Sequence, residues 1–403
     1  TVEQFFKNRG YETLAGGKLY HSLAPPWLTT NQADPAGWDF YYPSVSVPMP
    51  YQISAPENVI NPDSWKGGRH AWFTWGPIQA EDEKMADHQT VSWADYELNR
   101  PRENPLFLAC GIFRPHMPWE VPQKYFDMYP LDTIPDLEVL ADDLKDALIH
   151  PRRGWQKFVL ENKQWKHVIQ AYLASISFAD AQIGRLLDAL DRSGKADETV
   201  VVLWSDHGMH IGEKENWEKF TLWEESTRVP FFVRAPGIGK PGTVVNEPVS
   251  LLDVYPTLVD LAGFEVPDHC DGESVIPLMK DSNETRTHSA LTSFTFPNNR
   301  TGHSLRGKRY RYIYYEWNHL EELYYHEMDS NEFTNLAYQK DHAAIVAQFR
   351  DEMVTRVSRV SLTEIARAPI GYTVVGGAIS ADDYIPMAEV ALPKERPKKQ
   401  TIR

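Results

Sequence analysis

Only two cysteines, Cys110 and Cys270, occur in the 403 residues of the chain. That scarcity excludes a disulfide framework and any zinc site built on several cysteines. No run of about 18 apolar residues occurs, so no segment reads as a membrane-spanning helix. Positive charge is the scarcer sign: 41 Lys and Arg stand against 56 Asp and Glu, a formal net charge of −15. The balance argues against an extended nucleic-acid footprint or a surface for anionic membranes, so any positive charge gathered in one place carries information. Internal repeats and low-complexity tracts are also absent.

What is present is globular. Hydrophobic residues make up 42% of the chain, with 13 Trp and 29 Pro, and the length suits two or three folding units with long structured loops. Thr1-Val2-Glu3-Gln4 reads as a capping box opening a short helix that Gly10 closes. A strand is expected over 11–15, surface loops over 22–80, a helix over 87–98 and a strand buried on both faces over 105–113. The strongest helical pattern spans 165–190, with Ile169, Tyr172, Leu173, Ile176, Ile183, Leu187 and Leu190 on one face. Strands follow at 199–204 and 231–233, then a helix over 250–261 with Ser250 as N-cap and Asp253 at N3. This alternation predicts an α/β fold in which a large, mostly parallel sheet is sandwiched by helices. Alternating runs at 310–315 and 323–325, with a helix over 343–357, predict a smaller C-terminal α+β domain carrying an antiparallel sheet. The expected division is 1–280, 281–360 and a C-terminal extension over 361–403.

In open α/β sheets ligands bind beyond the carboxyl ends of the strands, and several chemically capable residues fall there. Asp206 and His207 directly follow the strand at 199–204. A carboxylate and an imidazole in one turn can ligate a hard or borderline cation, or can be an ordinary turn with a neighbouring histidine. His207 and His210 form an alternative zinc pair that lacks a third ligand at telling spacing. Lys18 and His21 follow paired glycines and can bring a cation and an acid/base group to one anion, while His116 lies between Pro115 and Pro118. Lys219 follows twelve positions after His207. Taken singly, each lysine reads better as a solvated surface residue. Arg306 reads as a surface arginine, with contact to a ligand carboxylate as the alternative.

The order of these segments resembles the sulfatase family. Gly17-Lys18-Leu19-Tyr20-His21, Arg114-Pro115-His116-Met117-Pro118-Trp119, Ser205-Asp206-His207-Gly208, Trp217-Glu218-Lys219 and Thr227-Arg228-Val229-Pro230 carry the resemblance. The Lys-x-x-His spacing, Phe126–Pro130, Glu322-Leu323-Tyr324 and Asn335-Leu336 look most like its iduronate-2-sulfatase branch. The resemblance covers nearly all of 1–340. It implies an alkaline-phosphatase-like hydrolase of sulfate esters that uses a formylglycine and a bound calcium. It further implies that Asp206 and His207 ligate the metal and that Lys18 and Lys219 hold sulfate oxygens. By the same resemblance His21 would assist the formylglycine, and His116 would contact the sulfate and the leaving oxygen. A sulfated uronic acid or other sulfated carbohydrate is the implied partner, with Trp119, Trp217 and Met209 lining the sugar site or simply packing loops. Periplasm, lysosome or the medium is the implied location.

The family makes its formylglycine within a Cys/Ser-x-Pro-Ser-Arg motif. Here Cys110 precedes Gly-Ile-Phe-Arg and Cys270 precedes Asp-Gly-Glu-Ser, and no serine heads such a motif. The expectation is therefore a sulfatase whose amino-terminal part, with nucleophile and further calcium ligands, lies outside this sequence or on a separate chain, leaving the chain inactive alone. A non-catalytic binder of sulfated glycans and a related phosphoesterase or phosphonate hydrolase are the alternatives.

Overall fold

The helical pattern centred on Ile169–Leu190 becomes a 28-residue helix, Trp165–Arg192, in the computed structural model. The model describes residues 1–20, 34, 36–42, 73–136, 138–140, 143–147, 153–296, 300–357, 360, 371–372, 384–385 and 399–401. These form two compact units, one of residues 1–135 and 158–199, the other of residues 136–157 and 200–403. The expected change of element type near 280 falls inside the second unit.

In the first unit, Glu12–Gly17 is the middle strand of a parallel sheet, flanked by Phe40–Tyr42 and Leu106–Gly111. A second parallel pair joins Trp75–Ile78 to Trp119–Pro122. The strands at 40–42 and 75–78 lie within the stretch expected to be loops. Leu106–Gly111 is only half buried rather than enclosed on both faces, because it is an edge strand among the described residues. The helix Ala86–Asn99 packs on the strands at 12–17 and 106–111 and on the long helix, which also covers the second pair.

The inward face of the long helix matches the expected one at Ile169 and Leu190, which are buried, and departs from it elsewhere. Ala171, Ala174, Phe178, Ala179 and Ala189 are buried, whereas Ile176 and Leu187 are 38% and 37% exposed. Small residues let its backbone approach its neighbours, and close packing there outweighs the size of the apolar side chains. At the amino terminus, Val2–Lys7 is helical, but Thr1 makes no side-chain capping bond, so the expected capping box is not formed.

In the second unit, Val201–Trp204 pairs with Phe231–Arg234 antiparallel, not in the parallel sheet expected. Parallel neighbours need a crossover, usually a helix of some length, and the connection here holds a three-residue 3-10 turn, Glu213–Glu215, and the four-residue helix Glu224–Thr227. Farther on, Ser250 and Asp253 make the expected capping box, over a 3-10 turn that leads into the helix Val254–Leu261. The strands Ala290–Phe296, Arg300–Arg306, Tyr310–Tyr315 and Leu320–Tyr325 form an antiparallel meander. Alternation places Leu305, Tyr312, Tyr314 and Leu323 against Val346 and Met353 of the helix Ala343–Arg356. The opposite face packs Ile313, Tyr315, Leu320 and Tyr324 against Leu144, Leu222 and Trp223. Both faces are thus buried, which explains the near-continuous aromatic sequence of the third strand. In the stretch expected as an extension, Lys399–Thr401 pairs with Glu138–Leu140. Parallel strands layered with helices, together with a carboxyl-terminal antiparallel sheet, give the α/β class expected.

Candidate active site

Three of the four candidate segments within the described residues begin just beyond the end of a short strand, and each of the four is fixed within its own unit. In the first unit, the ends of two adjacent parallel strands come unusually close. Gly17 stands at φ 77°, where a Cβ would lie 1.9 Å from the Gly111 carbonyl oxygen; a Cβ on Gly111 would lie 2.1 Å from that of Lys18. Only glycine allows this approach. The Lys18 N–H donates to Gly111 O at 3.0 Å, so Lys18 leaves its strand beside the segment that leads to His116. Their side chains meet across Phe113: Lys18 Nζ is 5.7 Å from its ring centroid, and the His116 ring is 4.9 Å from it.

His116 Nδ1 lies 2.7 Å from Met117 O. A carbonyl can only accept, so the proton of the neutral ring sits on Nδ1 and the lone pair on Nε2. Asp87, 5% exposed, accepts from the N–H groups of Phe113 and Arg114 at 2.7 and 3.0 Å. Burial pushes its carboxyl up, while Arg114, those two amides and Lys18 oppose the rise. Arg114 is 3% exposed, and its guanidinium donates to the carbonyls of His116 and Glu120. Motif spacing contains no sign of Asp87, whose role depends on a contact 26 residues along the chain.

In the second unit, Asp206 and His207 follow Val201–Trp204. The Gly208 N–H donates to Ser226 O at 2.8 Å, and a Cβ at Gly208 would lie 2.0 Å from Glu225 O, so the turn is pressed against Glu224–Thr227. His207 Nδ1 lies 2.7 Å from Gly208 O, which leaves Nε2 as the ring acceptor. That Nε2 is 3.7 Å from Asp206 Oδ2, a spacing two ligands of one cation can share. His210 is different: Nε2 meets Thr221 Oγ1 at 2.8 Å and Nδ1 meets Glu213 O at 3.1 Å, with no exposed surface. Burial pushes it down to about 4. With both nitrogens engaged, His210 is a structural histidine, and the zinc alternative falls.

The same turn carries Lys219. The His210 N–H donates to Glu218 O at 2.8 Å, and that of Gly212 to Asn216 O at 2.8 Å, which ties the two sides of the loop together. Lys219 Nζ lies 5.5 Å from the ring centroid of Phe220, whose φ is 77°. A bulky residue in the left-handed region costs of order 1 kcal/mol or more, and such strain gathers at functional sites.

Trp119 and Trp217 are 0% and 1% exposed. Trp119 donates from Nε1 to Pro115 O and packs on Phe73 and Tyr172, while Trp217 donates from Nε1 to Gln156 Oε1. Enclosed indoles present no face to a sugar, so both are packing residues here, which corrects the sugar-lining expectation. His21 lies outside the described residues. Cys110 is partly buried in its strand, and burial with the nearby Asp87 charge pushes its thiol up to about 12, far from a nucleophile's range.

A carboxylate cluster in the second unit was not visible in the motifs. Glu224, His326 and Glu332 bring donor atoms within 4.8 Å of one another, the geometry of a cation site. Two arginines already neutralise it: Arg311 pairs with Glu332 at 2.6 Å and with Glu224, and Arg306 pairs with Glu224 at 3.1 Å. Arg306 is thus engaged with the protein's own Glu224 instead of standing as a surface arginine. A neighbouring cavity of about 280 Å³ includes His210, Glu213, Lys214 and these glutamates in its wall, but not Asp206, His207 or Lys219. Its Lys214 is bonded to Asp143 at 2.7 Å.

Comparison with known proteins places the chain in a family. The sulfatase family model matches residues 1–264, and the model of the N-sulphoglucosamine sulphohydrolase C-terminal region matches 212–359. A sulfatase of Formosa agariphila is 35% identical over 348 residues, covering 83% of this chain and 65% of that protein. Human iduronate 2-sulfatase is 30% identical over 319 residues, covering 67% of this chain and 56% of that protein. The chain therefore spans less than two thirds of the length of these curated relatives. Among solved structures, the phosphonate monoester hydrolase of Silicibacter pomeroyi is similar in fold, with a TM-score of 0.70 at 21% identity, covering 97% of this chain and 84% of that one. With the family model matching well over half of its length, the chain belongs to the sulfatase family.

Proposed function

We propose that the protein hydrolyses a sulfate ester on a sulfated sugar. The observation that carries this is the placement of Lys18, His116 and the Asp206-His207 pair, each just beyond a strand's carboxyl end, in the order the resemblance requires. Lys18 and Lys219 would hold the sulfuryl oxygens, whose negative charge grows as the ester bond breaks; fixed ammonium groups offset it without reorganising. His116, with its proton kept on Nδ1 by Met117 O, presents Nε2 to the leaving oxygen, and its protonated form donates there. The nucleophile is assigned to a formylglycine outside this sequence. His21 would assist it.

The donor pair at Asp206 and His207 suits a divalent cation, proposed to be calcium, with further oxygen ligands from outside this sequence. Bound there, the ion would supply positive charge to the sulfuryl oxygens. Asp206→Asn in the full-length protein is expected to weaken calcium binding by at least about tenfold. Calcium at 100 times its Kd stabilises a protein by about 2.7 kcal/mol. A calcium-dependent rise in Tm should therefore be present in the wild type, abolished by EDTA and shifted to higher calcium in the variant. An unchanged calcium midpoint in the variant would remove Asp206 from the ligand set.

The activity itself is tested by comparing turnover of a sulfated monosaccharide with that of the matching phosphate and phosphonate monoesters, using the full-length protein. Sulfate-ester preference supports the proposal. Phosphonate preference would favour the phosphoesterase alternative, and tight sulfated-glycan binding without turnover would identify a binder. We place the enzyme outside the cytoplasm, in periplasm, lysosome or medium, as the family resemblance implies.

A further inference from the structure

We infer that Asp87 and Arg114 are positioning residues that set His116 for catalysis, a buried brace beneath the loop over 112–118. The inference rests on the sulfatase reading, since it concerns how the proposed proton donor is held.

The loop has few ways to hold itself. Its strand ends at Gly111, and Pro115 and Pro118 have no N–H, so ladder bonds cannot continue through it. An account of its polar groups shows what takes their place. The N–H groups of Phe113 and Arg114 both go to the Asp87 carboxylate, one to each oxygen. The His116 N–H turns back to Phe113 O at 2.9 Å. The carbonyls of His116 and Glu120 accept from the two terminal nitrogens of Arg114, at 3.3 and 3.2 Å. Pro115 O accepts from the Trp119 indole at 2.8 Å, and Met117 O from His116 Nδ1. One carboxylate therefore clamps the entry to the loop, and one guanidinium spans its turn and exit. Neither group reaches the surface, so neither is positioned to touch substrate.

The same helix turn braces the Lys18 strand. Asp87 lies in the first turn of Ala86–Asn99, and one turn on, Thr90 Cγ2 would be 2.9 Å from a Cβ at Gly17, the residue before Lys18. The start of this helix thus abuts both proposed sulfate contacts of the first unit. Displacing it would move His116 Nε2, and misplacement by about 1 Å can cost roughly a hundredfold in rate.

The test uses the full-length protein with a sulfate ester, measuring kcat, KM, Tm and the His116 Cε1–H resonance. Asp87→Asn keeps the size of the side chain but turns an NH2 toward one of the two backbone N–H groups. We expect kcat to fall by about 10- to 100-fold with KM changed less than about threefold, and the His116 resonance to shift or broaden. Arg114→Met should do the same, and Arg114→Lys, which keeps the charge but offers no fork, should recover part of the loss. If Asp87→Asn does not fold, the Arg114→Lys and Arg114→Met comparison carries the test. A kcat within twofold of wild type in a folded Asp87→Asn, or equal losses in Arg114→Lys and Arg114→Met with an unmoved His116 resonance, would overturn the inference. A wild-type protein without sulfate-ester turnover would overturn the functional reading and this inference with it.

Discussion

His116→Ala in the full-length protein is expected to lower kcat by about 10²- to 10⁴-fold, the usual contribution of a placed general acid. Lys219→Ala should cost about 10²- to 10³-fold, in line with loss of one preorganised charge contact to a developing anion. Stability should change by less than about 1 kcal/mol in each, because neither side chain anchors a core: the His116 bond returns to its own loop, and Lys219 stacks on the exposed Phe220. Steady-state kinetics with an activated aryl sulfate and with a sulfated sugar separate the two roles. A good leaving group needs little protonation, so the His116 defect should shrink on the aryl ester while the Lys219 defect persists. Wild-type turnover in both variants would refute the assignment of the site.

Arg311→Met is expected to destabilise the fold by about 3–5 kcal/mol at pH 7, the largest stability effect predicted for this chain. Arg311 and Glu332 have side chains only 2% exposed. The guanidinium donates to Glu332 at 2.6 Å, to Ser304 Oγ at 2.7 Å, to Leu222 O at 3.2 Å and to Glu224. Removing it leaves two carboxylates inside the unit with Arg306, His326 and the Glu224 N–H, which donates to Glu332 at 2.8 Å, as their remaining described partners. The pH dependence distinguishes this from loss of packing. Against its burial, Arg311 and His326 hold the Glu332 carboxyl down, from 4.5 to about 2. A depressed folded-state value stabilises above the unfolded value and is lost as pH falls through the folded one, so this contribution fades between about pH 5 and pH 2. The shift corresponds to about 3 kcal/mol. Urea unfolding should therefore show a gap between wild type and Arg311→Met that narrows as pH falls from 5 toward 2. A gap independent of pH would mean that the arginine acts by packing alone.

What could be read from the chain and what could not divide along physical lines. The meander over 290–325 was legible at Tyr310–Tyr315 because strand alternation is a local property, and the capping box at Ser250 and Asp253 because both partners lie within one turn. The inward face of Trp165–Arg192 was legible only in part, at Ile169 and Leu190. Ile176 and Leu187 satisfy helical spacing, but which face turns inward depends on how near the neighbouring strands and helix can come, and the alanines decide that. Likewise, strands at 201–204 and 231–234 were foreseen, whereas their antiparallel direction depends on a connection with no helix long enough to carry the chain back.

The candidate site divides the same way. The candidates Lys18, His116, Asp206-His207 and Lys219, whose roles are proposed, were chosen from the chemistry of each short segment and from their order, both of which are written in the linear sequence. Family membership and the α/β class were therefore set by the sequence itself. Only the tertiary structure decided that Trp119 and Trp217 are interior residues and that His210 spends both nitrogens on its own loop. It alone placed Arg311 between two buried glutamates and Asp87 beneath the His116 loop. Burial and partnership are made by segments tens of residues apart, and a residue's type does not say which neighbours will exclude water from it.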